Sequence, residues 1–326
     1  MKKSIFLSFI LCLCLVACIP QQAMAQKQSR MEKLLRYLND NDADKWQKNR
    51  EKLDDETKAY YAEDLSLMDV LNDLWNGQSE QAATLYFGCY EKAAQNNFPS
   101  ICEGEKIPLS QIRDKADQSI INLLEASKDK IPFSRALLDS IHATEYPVDS
   151  AMLQRLQNIR EVALLEGMLK APTPIIYQTY VKEYPNGKFI AQVNASENVR
   201  LYQLVKTAPT PANFKAFFED PEMQKYYQDR GPRPYLAEVR TLYDDFLFQR
   251  IDSLKKEGNA TAIRQIIDDY KNTPYLSTGA RTHLNDLEYL SEKADFELLK
   301  PAIVNSESLG LLQEFLKTHK YKEFRD

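Results

Sequence analysis

Glycine is scarce and widely spaced in this chain, and that feature excludes more folds than any other. Nine glycines occur in 326 residues, and the nearest two, Gly77 and Gly88, stand eleven apart. Average chains carry roughly 7% glycine. Dinucleotide-binding folds, phosphate-binding loops and nucleophile elbows all need glycines at short spacing, for positive φ or for close approach of the backbone to a ligand. No GxG is present. Hairpin-rich β folds want Asn-Gly or Asp-Gly turns. The two that occur, Asn76-Gly77 and Asn186-Gly187, each follow a helical pattern and read as helix ends or turns.

What remains is helix. From Ser150 to Lys170, apolar residues recur three and four apart: Met152, Leu156, Ile159, Leu164, Leu165 and Met168. Leu236 to Lys256 repeats the pattern through Val239, Tyr243, Phe246, Leu247 and Ile251, and Gly258 closes it. Ala280 to Leu299 does so again, up to Pro301. Shorter segments lie between. Ala-Pro-Thr-Pro precedes Tyr177 and Tyr180, and the same four residues precede Phe214 and Phe217, 37 residues on. Ile263 and Ile266, then Leu312 and Phe315, continue the series of apolar pairs at i, i+3. Such a short helix cannot bury its pair alone, so the expected fold is all-α, with stacked helical hairpins sharing one core.

The stretch Tyr180-Val-Lys-Glu-Tyr184-Pro185-Asn186-Gly187-Lys-Phe189-Ile-Ala191 resembles the tetratricopeptide-like repeats of bacterial envelope proteins, among them outer-membrane assembly lipoproteins and the periplasmic coordinator of the Tol-Pal system. Glu145-Tyr146-Pro147 echoes Glu183-Tyr184-Pro185. The resemblance covers about Phe133 to the C-terminus and implies a tetratricopeptide-like solenoid of unequal units over 132–326. It implies scaffold or adaptor roles and supplies no active-site residues. Residues 26–131 are expected to form a less regular helical region, with Gln81 to Ala94 as one helix (through Ala82, Ala83, Leu85, Tyr86 and Tyr90) and Asn96 to Pro108 as a linker.

Residues 1–25 have the form of a secretory signal: Lys2 and Lys3, an uncharged apolar run from Ile5 to Ile19, and Ala23-Met24-Ala25. The run is short for a span, which needs roughly 20 apolar residues. Leu15-Val16-Ala17-Cys18 resembles a lipobox, so Cys18 is a lipidation candidate. Processing after Ala25 would give a free periplasmic protein, and processing at Cys18 an outer-membrane lipoprotein. Both stay open. In an oxidising compartment Cys89 and Cys102 are expected to pair, since Asn96, Asn97 and Pro99 let the chain between them turn back.

Catalytic patterns are poor. Only His142, His283 and His319 offer imidazole bases, none within a motif, and no HExxH occurs. Neither metal nor cofactor is expected. The formal charge of −5 is spread along the chain, which disfavours nucleic acid, whose binders carry a basic stripe. Tyrosine and arginine dominate binding hot spots. The insertion holding Tyr226, Tyr227, Arg230, Arg233 and Tyr235 is therefore the candidate contact. The expected function is a non-catalytic adaptor or scaffold of the cell envelope, binding a protein or peptide and touching membrane only through an N-terminal lipid. The alternative is an all-α enzyme or carbohydrate-binding protein acting on envelope or dietary glycan.

Overall fold

The computed structural model describes residues 23–77, 79–258, 260–271, 273–303 and 309–318. The signal-like segment up to residue 22, with Cys18, lies outside them. Among the described residues the chain is helix without strand, in seventeen helices. None of these is long and apolar enough to cross a membrane. Two compact units divide at Glu166/Gly167, within one long helix. The sequence pattern suggests a boundary at 131/132 instead. Residues Phe133, Leu137, Leu138 and Ile141 explain the difference, because they belong to the core of the first unit.

The first unit begins with α1 (23–39), which buries Met31, Leu34, Leu35 and Leu38. Asp42 caps α2 (Ala43–Glu51) by accepting the Lys45 N–H, and Asp54 caps α3 (Asp55–Tyr60) through the Thr57 N–H. Then follow α4 (Ala62–Trp75), α5 (Glu80–Gln95), α6 (Phe98–Glu105), α7 (Leu109–Ala126) and α8 (Lys130–His142). Helix α5 is the hub, packing against α4, α6, α7 and α8. Its stripe of Ala83, Tyr86, Phe87 and Tyr90 explains this, since spacings of three, four and seven share one face. Leu85 lies off that stripe and is 51% exposed, against the sequence expectation. Tyr146 completes an aromatic cluster, its ring edge-on to Tyr86, Phe87 and Tyr90 at centroid distances of 5.5, 4.9 and 5.2 Å. Its hydroxyl donates to Asp117 Oδ1 at 2.5 Å.

Asn96 to Pro108 is not a linker. Phe98, Ile101 and Cys102 share a buried face of α6, and Pro99 sits in its first turn, where no backbone N–H is needed. The buried Asp64 carboxylate of α4 accepts the Phe98 N–H and so caps α6 from a neighbouring helix. Cys89 and Cys102 are free thiols, which corrects the expected pairing. Cys89 Sγ on α5 lies 3.6 Å from Ser66 Oγ on α4. Cys102 is buried on α6, where desolvation pushes its thiol up to about 12.

The long helix α9 (Ser150–Lys170) leads to the second unit: α10 (Pro174–Glu183), α11 (Ile190–Thr207), α12 (Pro211–Phe218), α13 (Pro221–Tyr227), α14 (Leu236–Lys256), α15 (Ala260–Lys271), α16 (Thr278–Ile303) and α17 (Leu309–Thr318). Helix α16 runs past Pro301, which costs one backbone bond close to the helix end. Packing follows chain order: α10 on α11, α11 on α12 and α14, α14 on α15, α15 on α16, α16 on α17. The repeated Ala-Pro-Thr-Pro is a helix start. Thr173 accepts the Ile176 N–H and Thr210 the Asn213 N–H, while Pro174 and Pro211 take the first helical position, pre-set for φ. The apolar pairs Tyr177/Tyr180, Phe214/Phe217 and Ile263/Ile266 are buried as expected, and so is Phe315. The side chain of Leu312 lies outside the description.

Candidate functional site

In the second unit the chain leaves α12 and makes the short α13 before entering α14 through 228–235. Asp220 caps α13 by accepting the Met223 N–H at 2.8 Å, and Pro221 opens the helix. Gly231 supplies a positive φ of 95° in the connection, and Tyr235, at φ 63°, sets the start of α14. Helix α14 carries no side-chain cap at that end.

This connection is tied down from within. Asn198, on α11 and 1% exposed, accepts the Arg233 Nε–H at 2.6 Å and donates to the Pro234 carbonyl at 3.1 Å. Arg233 Nη1 donates to the Phe217 carbonyl, and its guanidinium lies 4.0 Å from the Phe217 ring centroid. Tyr235 stacks on Tyr202 at 4.4 Å and 11°. The Tyr202 hydroxyl donates to Glu238 at 2.7 Å. Arg233 is thus a strut between the loop and α11–α12, and Tyr235 an anchor. Tyr226 and Tyr227 meet edge-on at 5.0 Å. Arg230 is exposed, with its guanidinium 4.5 Å over the Tyr226 ring. Of the five residues singled out from the sequence, Arg230 is the one left reaching outward, while Tyr226 and Tyr227 are half-buried.

Beside this loop lies a cavity of about 740 Å³. That is a size suited to a ligand or to a few side chains of a partner. One side is aromatic: Phe218 and Tyr275 stack face to face at 4.2 Å and 5°, with Tyr243 edge-on to both. The Tyr275 hydroxyl is hydrogen-bonded to Glu219. Met223, Leu236, Pro221, Pro232 and Pro274 add apolar wall. The charged groups in the lining are Lys225, Arg233 and Arg240, and it includes no carboxylate. Arg233 Nη2 and Arg240 Nε are buried, and neither has a hydrogen-bond partner among the described residues. Burial outweighs the nearby charge of Asp220 and holds the Arg233 guanidinium below its usual basicity.

Tyr227 and Arg233 are thereby joined to residues that sequence reasoning passed over: Phe218, Arg240, Tyr275 and the clamp Asn198. Local pattern gives none of them away. Arg240 reads as a solvated position on a long helix. Tyr275 becomes a wall only because the α15–α16 turn returns to α12. No protein-family model matches the chain, no curated protein matches it, and no solved structure does, so the fold and the cavity rest on their own geometry.

Proposed function

We propose that this chain is a non-catalytic binding protein of a bacterial cell envelope, whose second unit is a tetratricopeptide-like stack of hairpins presenting the α13–α14 loop and its cavity to a protein or peptide partner. One observation carries the reading: a rigid, internally clamped loop beside an apolar cavity that holds three basic groups. Preorganised surfaces bind with less loss of conformational freedom. The order of helix packing in the second unit, each helix against its chain neighbours, supports a stack. The N-terminal pattern of Lys2, Lys3 and the apolar run supports export, free or anchored at Cys18. Glycoside hydrolysis would need a carboxyl pair flanking the bond. The cavity lining offers arginines and tyrosines instead, which favours binding over the glycan-enzyme alternative.

The test is capture from the native envelope by chemical crosslinking, with mass-spectrometric identification. Lys225→Glu together with Arg230→Glu reverses two exposed charges and leaves the clamp intact. The same partner should be recovered several-fold less with the double variant, at unchanged helicity. Equal recovery would remove this surface as the binding site.

A further inference from the structure

The two unpartnered guanidinium groups carry the argument one step further, and that step rests on reading the cavity as a binding site. Arg240, on α14, is half-buried, and among the described residues neither a hydrogen bond nor an ion pair compensates it. Arg233 spends Nε and Nη1 on Asn198 and Phe217, and its buried Nη2 has no acceptor. A buried cationic donor left unsatisfied is costly, and folded proteins rarely leave one so. Here two occur in the lining of one cavity, together with Lys225 and without a carboxylate. The nearest acids are already engaged. Glu197 is held by Arg200 at 2.6 and 2.7 Å, Asp220 caps α13, and Glu219 takes the Tyr275 hydroxyl. The N-terminus of α14, without a side-chain cap, adds its positive end at Leu236, on the same wall.

We propose that this cavity binds a carboxylate carried on an aromatic or prolyl body, with Arg240 and Arg233 holding the carboxylate and the Phe218–Tyr275 pair holding the body. A monoanion fits better than a phosphate dianion. Much of the wall is apolar, and the cost of desolvating an ion grows with the square of its charge. The stacked Phe218 and Tyr275 rings favour a planar or ring-bearing group next to the charge. A free aromatic acid and an acidic peptide segment share this chemistry.

The experiment uses the full chain with ¹⁵N-labelled arginine. The Arg240 Nε–Hε signal, assigned by its loss in Arg240→Gln, is followed on titration, and affinities are measured by calorimetry. The probes are 3-phenylpropanoate for a free acid and the blocked peptide acetyl-Glu-Phe-Glu-amide for a peptide. Their neutral twins are 3-phenylpropanamide and acetyl-Gln-Phe-Gln-amide. At least one carboxylate probe should shift the Arg240 signal saturably, and its neutral twin should not. The tighter of the two carboxylates identifies the source. Arg240→Gln should weaken binding roughly 10- to 100-fold, and Arg240→Lys should recover part of it. A neutral twin binding as well as its acid would overturn the proposal while leaving the cavity a binding site. So would inorganic phosphate binding as tightly as either probe, or no shift with any carboxylate. Loss of the binding-protein reading itself would show elsewhere, as partner capture indifferent to Lys225→Glu/Arg230→Glu.

Discussion

Asn198 illustrates how a single side chain can organise a surface it does not reach. It closes two bonds to the α13–α14 connection, to Arg233 and to the Pro234 carbonyl. Asn198→Ala leaves a buried guanidinium donor and a carbonyl without their partner, at a cost of about 1–3 kcal/mol. Urea denaturation should register that loss, and trypsin should cut after Arg230 faster than in the parent chain. Asp64 gives a residue-scale test in pH. Burial raises its carboxyl to about 7, so between the ordinary carboxylate range and pH 7 the folded state keeps a proton that the unfolded chain releases. Its contribution to stability is therefore full below about pH 4 and lost as pH rises through about 7. Asp117, raised to about 6 by burial, follows the same sign. Asp64→Asn should melt higher than the parent at pH 8, and the difference should close towards pH 4. At this scale the sequence is only half legible. Arg233 stands out in a Tyr- and Arg-rich loop, although as a strut rather than a free contact. Asn198 and Arg240 do not stand out, because their partners and walls arrive from about 35 residues further along the chain.

At the scale of elements, local chemistry is far more readable. Helices α9 and α14 begin and end where their apolar stripes do, and Gly258 closes α14 with φ 69°. The repeated Ala-Pro-Thr-Pro fixes two helix starts through threonine caps and first-turn prolines. Thr173→Ala and Thr210→Ala should each destabilise by about 1 kcal/mol, while serine at either position should be nearly neutral, as thermal melts followed by circular dichroism would show. Helix α6 escapes such reading because asparagines and a proline look like a linker. Its stability comes from tertiary packing of Phe98, Ile101 and Cys102 and from a cap supplied by Asp64, more than thirty residues earlier. The expected Cys89–Cys102 bond fails for a related reason. Proximity in sequence does not settle which neighbour each thiol faces, and Cys89 lies against Ser66.

The whole molecule consists of two compact units with different internal logic. In the first, four helices gather on α5; in the second, helices follow one another. Composition and periodicity foretell the helical class but not this contrast, since an apolar stripe says that a face is buried and not against which helix. Both tryptophans, Trp46 and Trp75, lie in the first unit, so tryptophan emission follows that unit alone. Phe87→Ala, at a fully buried position of α5, should lower the tryptophan-detected stability by about 3–5 kcal/mol. The central claim is that partner recognition belongs to the cavity edge of the second unit. Site-specific photo-crosslinking in living cells tests it most directly, with a photoreactive residue placed in turn at Lys225, Gln228, Leu85 and Gln118. The account predicts one shared crosslinked species from Lys225 and Gln228 and none from the exposed positions of the first unit. The same species arising equally from Leu85 or Gln118, or none from the cavity edge, would contradict it.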